Sequence, residues 1–321
     1  MDRRQFVQWL ITAGIGAVGL GTAGCGSPDA EVGRPEANTP YVPPAAPAPE
    51  RKPLAGPYPL VVAAGNDPAD LIERGFQALG GIERFVRPQS LVTIKPNVSV
   101  PRKPEEAATT NPWLVAAVVQ RCLAAGAREV RVIDHTFTSG QICLETTAIR
   151  REVEQAGGKV YVINELKPEF YQPVALPGPV LTSVQYARDV LDADLFINMP
   201  ILKHHNSTKL TMGLKNLMGV VWDRGIFHRT GIHRGIAELA AFRKPDLTIL
   251  DAIAGITDRG PMGPGPIRNY NQVVLSTDPV AVDAYGAQLF GLVPSDLEYL
   301  LRAAELGVGQ IDWSALPRKE V

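Results

Sequence analysis

From residue 58 onward, short apolar runs alternate with segments of helical periodicity, and this alternation leaves few possible folds. The apolar runs, rich in β-branched residues and typical of strands, are 60–64, 90–94, 129–133, 160–163, 194–198, 246–250 and 272–275. Helical patterns lie between them at 67–79, 111–126 and 144–156. Strands that are apolar on both faces and alternate with helices predict a doubly wound α/β fold, with a mostly parallel sheet and helices on both faces.

The first 25 residues carry the pattern of an export signal. Arg3 and Arg4 form a twin-arginine pair, which is typical of substrates of the Tat export machinery, and the glycine-rich apolar run 9–23 follows. Such a run rises only about 22 Å as a helix, less than a bilayer core of about 30 Å, so it indicates a signal rather than a span. We therefore expect an exported, extracytoplasmic protein, periplasmic or on the cell surface. A cytoplasmic protein with a chance basic and apolar start is the alternative.

Cys25 ends the tetrapeptide Thr22–Cys25, which is similar to the lipobox of bacterial lipoproteins. We therefore predict that the Cys25 thiol is lipidated and anchors the chain to a membrane. Thr22 stands where a large aliphatic residue is usual, and cleavage followed by release is the alternative. Residues 26–57 form a Pro-rich linker, whose composition favours an extended polyproline II spacer, and residues 58–321 form a single α/β domain.

Composition excludes several classes of function. The 32 basic and 33 acidic side chains give a net charge of −1, so there is no overall attraction to nucleic acid and no nucleic-acid partner is expected. Three cysteines cannot supply the four thiolates of an iron–sulfur cluster or a four-cysteine zinc site. No iron–sulfur cluster is therefore expected.

Basic residues concentrate in one segment of this nearly neutral chain. Residues 203–234 contain six lysines and arginines against one acidic residue, Asp223, and four of the five histidines. Such an excess attracts an anion such as a carboxylate, a phosphate or a lipid headgroup. Within this segment the pattern of 208–219 predicts a glycine-containing helix with Lys209 and Asn216 on one face.

Two alternatives stand beside an anion site. The basic segment is also typical of a solvated surface. A metal site built from His205, His228 or His233 with a carboxylate is the other alternative, although no pair of these histidines has the one-turn spacing that fixes two ligands.

Polar side chains follow several of the predicted strands, and the carboxyl ends of parallel strands meet at one edge of a sheet. We include the strand end 276–278 among them, although Asp278 before a proline is also typical of a helix cap. The predicted ligand-binding residues are Lys95, Asn97, Asn198, Lys209, Lys215 and Asn216. The predicted catalytic residues are His205, Lys203, Asp134 and Asp251. His205 with Asp134 or Asp251 is the predicted proton-transfer pair, because histidine titrates near neutral pH.

Several of these stretches occur as recognisable motifs. They are 94–97, 109–112, 198–205, 214–219, 245–252 and 277–283, and Leu214-Lys215-Asn216-Leu217-Met218-Gly219 is the most specific. With them the chain resembles, over about residues 60–310, the bacterial and archaeal family called domain of unknown function 362. Some members of that family carry ferredoxin-type cysteine clusters, which this chain lacks, and the resemblance implies no assigned activity.

The sequence thus predicts an exported protein whose enzyme-like domain binds a small anionic ligand, a carboxylate or phosphate, at the ends of its strands. Lysine and histidine side chains would supply acid–base groups. A non-catalytic lipoprotein that binds an anion or a partner is the alternative, and the sequence does not decide between them. The sequence does not identify a cofactor, and a bound metal is an alternative.

Overall fold

A computed structural model of the protein describes residues 60–321. The predicted export signal, Cys25 and the linker 26–57 lie outside the described residues. The strands are β1 (Leu60–Ala64), β2 (Leu91–Pro96), β3 (Glu129–Asp134), β4 (Lys159–Val162), β5 (Tyr171–Ala175), β6 (Ser183–Ala187), β7 (Leu195–Met199), β8 (Lys203–His205), β9 (Lys209–Thr211), β10 (Leu247–Ile256), β11 (Ile267–Ser276) and β12 (Arg318–Glu320). The helices are α1 (Pro68–Ala78), α2 (Pro112–Ala124), α3 (Gly140–Thr146), α4 (Ile149–Gln155), α5 (Arg188–Asp192), α6 (Gly213–Asn216), α7 (Gly225–Thr230), α8 (Ile232–Phe242), α9 (Pro279–Phe290) and α10 (Glu298–Glu305).

Eight strands form the central sheet in the order β12-β1-β11-β10-β7-β2-β3-β4. The pairs β12–β1, β10–β7, β7–β2, β2–β3 and β3–β4 are parallel, whereas β11 runs antiparallel to both of its neighbours. The mostly parallel sheet predicted from the sequence is therefore confirmed. The strands β5 with β6 and β8 with β9 form two separate antiparallel hairpins.

Alternate residues of each central strand enter two different cores. Leu60 belongs to a cluster packed by α8, α9 and α10, while its neighbour Val61 belongs to a cluster packed by α1, α2 and α4. This alternation follows from the two-residue period of a strand. Helices on both faces of the sheet are thus confirmed.

Helix starts follow the capping residues in the sequence. The Asp67 carboxylate accepts from the backbone N–H of Asp70, and the Asn111 side chain accepts from the N–H groups of Trp113 and Leu114. Both caps precede a proline at the first helical position, where its missing N–H costs nothing.

The structure corrects three sequence-based expectations. The helix predicted over 144–156 is two helices, α3 and α4, separated at Ala148, which has a φ of 59°. The helix predicted over 208–219 begins only at Gly213, because the backbone of residues 209–211 pairs with β8 and does not form hydrogen bonds within a helix. Because β11 is antiparallel, the strand end 276–278 lies at the opposite edge of the sheet, where Asp278 caps α9 by accepting from Ala281 N–H.

The parallel strands β2, β3 and β7 bring their carboxyl ends to one edge. Lys95 of β2 lies beside Asn198 of β7 in the register, and Asp134 is the last residue of β3. The hairpin β8–β9 and the short helix α6 cover this edge. Within residues 60–321, no helix has the length and apolar character needed to cross a membrane.

Candidate functional site

A cavity of about 570 Å³ opens at this edge of the sheet. Its walls come from the ends of β2 and β3, from the hairpin β8–β9, from α6 and the residues after it, and from the loop at Pro261. The cavity is lined by polar, charged and aromatic side chains, which include Lys95, Asn97, Asp134, His135, Phe137, Lys203, His205, Thr211, Lys215, Asn216, Met218, Trp222, Asp223, Arg224 and His228.

A buried ion pair forms the floor. Lys95 Nζ lies 2.6 Å from Asp134 Oδ1, and both side chains are only 2% exposed. The carboxylate also accepts from the N–H groups of Val98 and His135. Burial lowers the pKa of Lys95, and the charge of Asp134 opposes that shift. The two charges stabilise each other here, because burying either of them without a partner would cost free energy.

Gly219 covers the ion pair and leaves no room for a side chain. A Cβ atom at this position would lie 2.5 Å from Asp134 Oδ1 and 2.7 Å from Lys95 Cε. Such distances are well inside van der Waals contact. Glycine is therefore required here by close approach and not by its backbone angles.

Asn216 connects the strand ends to one another. Its Oδ1 accepts from Lys95 Nζ at 3.0 Å and from Asn97 Nδ2 at 3.1 Å, and its Nδ2 donates to Asn198 Oδ1 at 2.9 Å. Asp283, on α9, holds the helix that carries Asn216 by accepting from Gly213 N–H and the next amide, at 2.6 and 2.9 Å. Every polar atom of the Asn216 amide is thus used in positioning.

Lys203 is fully buried and surrounded by oxygen atoms. Its Nζ donates to Asn97 Oδ1, to the carbonyl of Ala108 and to the carbonyl of Pro261, at 3.3, 2.5 and 3.0 Å. Three acceptors match an ammonium, since a neutral amine has only two hydrogens. Burial, followed by the charge of Lys215, lowers the pKa of Lys203 to about 7.

Lys203, Lys215 and Arg224 all line the cavity without an acidic partner in residues 60–321, but only Lys215 and Arg224 have N–H groups left to donate to a ligand. The contact of Lys215 Nζ is with Met218 Sδ at 3.6 Å. Burial, and then the charge of Arg224, lower the pKa of Lys215 to about 8. Arg224 donates to the carbonyls of His135 and Thr136 at 2.9 and 2.8 Å, and its guanidinium retains further N–H groups.

Two of the histidines that line the cavity, His205 and His135, carry their ring hydrogen on different nitrogen atoms. His205 Nδ1 accepts from Ser207 N–H at 3.0 Å, so its hydrogen is on Nε2. His135 Nδ1 lies 3.3 Å from the carbonyl of Val221, which can only accept, so its Nε2 carries a lone pair. Burial is the main cause that lowers the pKa of His205 to about 3 and that of His135 to about 4. Nearby cations add to both shifts, and both rings are therefore neutral near pH 7.

A model of the family described as Domain of unknown function (DUF362) matches residues 92–288, more than half of the chain. The matched region includes every residue of the site described above. The chain belongs to the DUF362 family.

The thylakoid-associated protein sll1697 of Synechocystis sp. is 28% identical over 244 residues, which cover 72% of this chain and 73% of that protein. Among solved structures, the lactate racemase apoprotein from Thermoanaerobacterium thermosaccharolyticum is 15% identical with a TM-score of 0.46. That match covers 71% of this chain and 56% of the racemase chain, so this chain spans little more than half of that protein. At this level the likeness says nothing of activity.

Seven of the ten predicted site residues line the cavity. They are Lys95, Asn97, Asp134, Lys203, His205, Lys215 and Asn216. Asn198 does not line the cavity but contacts a residue that does: it accepts from Asn216 and donates to the carbonyl of Gly213.

Lys209 and Asp251 do not reach the cavity. Lys209 has a φ of 61° at the start of β9, and its side chain is exposed. Its backbone pairs across the hairpin with His205, so the helical face shared with Asn216 does not form. Asp251 is buried in β10, where it accepts from the N–H groups of Asn111 and Ile253.

Within residues 60–321, no hydrogen bond joins His205 to either predicted partner, Asp134 or Asp251. Asp134 is engaged by Lys95, and Asp251 by backbone amides. The charges that act most on His205 are those of Lys215 and Lys203.

His135, Arg224 and Trp222 line the cavity but are not among the site residues predicted from the sequence. His135 directly follows Asp134 at a strand end, and Arg224 lies in the basic segment, so each carried a signal. Their place in the cavity depends on contacts with residues distant in the chain, which no local pattern shows. No group of three or more His, Cys, Asp or Glu side chains in residues 60–321 is arranged to hold a metal ion.

Proposed function

We propose that this cavity binds a small anionic ligand, a carboxylate or a phosphate, and carries out acid–base chemistry on it. The observation that carries the proposal is that Lys215 and Arg224 line the cavity with no acidic partner among residues 60–321 and with N–H groups that no protein acceptor uses. Charged groups removed from water are stable only when they are paired. An anion in the cavity would supply the missing partner.

The balance of charge supports the same conclusion. Lys95, Lys203, Lys215 and Arg224 line the cavity with two carboxylates. One of these carboxylates is neutralised by Lys95. The other, Asp223, is exposed and forms an ion pair with an arginine outside the cavity, Arg229. The positive excess would attract an anion, and the guanidinium of Arg224 suits the planar geometry of a carboxylate or phosphate.

The two histidines support chemistry rather than binding alone. His205, with its hydrogen on Nε2, would donate a hydrogen bond to the anion. His135, neutral and with a free lone pair on Nε2, would accept a proton from the ligand, and the ammonium groups nearby would stabilise the negative charge that develops. This assignment moves the proton-accepting role from His205 to His135.

We also propose a location for the protein, outside the cytoplasm and attached to a membrane. Arg3, Arg4 and Cys25 support export by the twin-arginine route followed by attachment to a membrane through a lipid. The site would then meet ligands outside the cytoplasm.

The binding proposal is tested by calorimetric titration of the full chain with inorganic phosphate and a panel of mono- and dicarboxylates. Lys215→Met and Arg224→Met are each expected to weaken binding by about 10- to 100-fold, the loss typical of a hydrogen bond to a charged group. Lys209→Met is the matched control, since Lys209 is in the same basic segment but outside the cavity. Equal losses for Lys209→Met and Lys215→Met would indicate a solvated basic surface instead.

The chemistry is tested by hydrogen exchange in D2O, followed by NMR at the carbon next to the carboxylate of each acid that binds. We expect His135→Gln to abolish exchange while changing affinity by less than about 2-fold, because the amide can accept a hydrogen bond but cannot take up a proton, and the anion contacts remain. Binding without exchange for every acid in the wild-type protein would favour the non-catalytic alternative.

A further inference from the structure

The cavity has a second wall, made of flat π-systems, that anion binding alone does not use. The rings of His135 and Trp222 stack with centroids 5.2 Å apart and planes 4° from parallel. Next to them, the guanidinium of Arg224 lies 4.3 Å from the centroid of the Phe137 ring. All four side chains line the same cavity.

Phe137 is unusually exposed for a side chain of its type. The residue is 52% exposed, although it lies at a cavity and beside a cation. Removing a phenylalanine side chain from water is favourable, and stacking of flat rings adds stabilisation beyond that of the buried apolar area. A ligand that covers this ring would recover that free energy.

The volume of the cavity also exceeds what a bare anion needs. With about 30 Å³ for each water molecule, about 570 Å³ corresponds to roughly twenty waters. Acetate or inorganic phosphate has only four or five heavy atoms and would leave most of this space filled with solvent. A larger body attached to the anion would fill it and displace that solvent.

We propose, on the basis of the function proposed above, that the ligand is an aryl anion: a carboxylate or phosphate attached to a flat unsaturated ring. The anionic group would contact Lys215 and the free N–H groups of Arg224. The ring would lie against Phe137 and Trp222. Arg224 belongs to both halves of this arrangement, because a guanidinium stacks on a ring through its face and donates hydrogen bonds from its edge.

The test compares matched anions by calorimetry on the full chain at one ionic strength. Phenylacetate is set against acetate, and phenyl phosphate against inorganic phosphate, which also separates the carboxylate source of the charge from the phosphate source. Cyclohexylacetate controls for flatness, since it has the same number of carbon atoms as phenylacetate. We expect at least one aryl anion to bind about 10-fold or more tightly than its bare counterpart, and cyclohexylacetate to bind more weakly than phenylacetate.

Variants then locate the source of that preference. Phe137→Leu keeps apolar area but removes the flat ring, and we expect it to reduce the aryl preference by about 2- to 12-fold. Affinity for the bare anion should fall less than affinity for the aryl anion, because only the aryl anion contacts the ring of Phe137. Trp222→Leu should act in the same direction, and Phe137→Leu keeps the test decisive if Trp222→Leu fails to fold. Trp113→Leu is the control, since Trp113 is an exposed aromatic side chain outside the cavity.

The outcomes separate this inference from the function on which it rests. Failure of every anion to bind would overturn the proposed function. Binding of bare and aryl anions with equal affinity, or equal binding of cyclohexylacetate and phenylacetate, would overturn the aryl inference and leave anion binding intact. An aryl preference that persists unchanged in Phe137→Leu would also overturn it, because the preference would then come from elsewhere.

Discussion

Replacing Asp134 by asparagine would remove the carboxylate that compensates Lys95 at the floor of the cavity. Two unit charges 2.6 Å apart attract by about 6 kcal/mol at an effective dielectric constant of about 20. Part of this attraction offsets the cost of removing both groups from water. In Asp134→Asn that cost remains for Lys95, while the attraction is lost.

The expected loss in the free energy of unfolding is therefore about 3–5 kcal/mol, the range found when one partner of a buried ion pair is removed. A further cost comes from the N–H of Val98, which donates to Asp134 Oδ2 at 2.7 Å. If the amide nitrogen of the substituted side chain took the place of Oδ2, two donors would face each other. If it took the place of Oδ1, it would face the ammonium of Lys95.

Urea unfolding followed by circular dichroism measures this loss as a fall in the midpoint. Asp223→Asn is the matched control, because its carboxylate lines the same cavity but pairs with Arg229 at the exposed surface. Exposed pairs contribute about 0–1 kcal/mol. The reasoning would be refuted if Asp134→Asn cost less than about 1 kcal/mol, or no more than Asp223→Asn.

Three further predictions follow from charges and from the N-terminal pattern. Anion affinity is expected to fall as pH rises through about 8, since Lys215 loses its proton there, and Lys215→Met should remove that step in calorimetric titrations at pH 6 to 9. Burial raises the pKa of Asp283 from 3.8 to about 7, so its contribution to stability is fully present below pH 4 and is lost as pH rises through 7. Asp283→Asn should therefore reduce the fall in thermal stability between pH 4 and 7, to which this carboxyl alone contributes on the order of 4 kcal/mol. Replacing Arg3 and Arg4 by lysines should retain the precursor in the cytoplasm, and Cys25→Ser should move exported protein to the soluble fraction in cell fractionation.

Each of these has an outcome that contradicts it. An anion affinity that is constant from pH 6 to 9 would show that the charge of Lys215 does not act on the ligand. Parallel stability profiles for the wild type and Asp283→Asn would mean that the buried carboxyl does not titrate in this range. Normal export of the double lysine variant would remove the twin-arginine interpretation, and unchanged membrane association of Cys25→Ser would remove the lipid anchor.

Local chemistry explains what could be predicted about the fold. The strand predicted at 60–64 is β1 with the same bounds, and the caps at Asp67 and Asn111 begin α1 and α2 where the sequence indicates. A cap is made within three residues, and a strand buried on both faces must be apolar throughout. Both signals are therefore complete within a short stretch of sequence.

Pairing between distant segments explains the errors. Whether 267–276 runs parallel or antiparallel depends on its neighbours β1 and β10, and its apolar character is the same in either direction. Likewise, residues 209–211 have a pattern that permits a helix, but their backbone hydrogen bonds go to β8. Lys209 is lost from the site for that reason.

The order of residues along the chain is enough to show which polar side chains follow the parallel strands, and hence that Lys95, Asn97 and Asp134 meet at one edge of the sheet. Which cations have partners depends on contacts between segments that are distant in the chain. Lys95 is matched by a carboxylate from the neighbouring strand, whereas Lys215 faces the cavity without one in the described residues. The tertiary structure also sets the tautomer and the pKa of His135, because the carbonyl of Val221 and the charge of Arg224 come close to this ring only in the folded chain. Charge and hydrogen bonding act over a few ångströms in space, and residue order does not fix those distances.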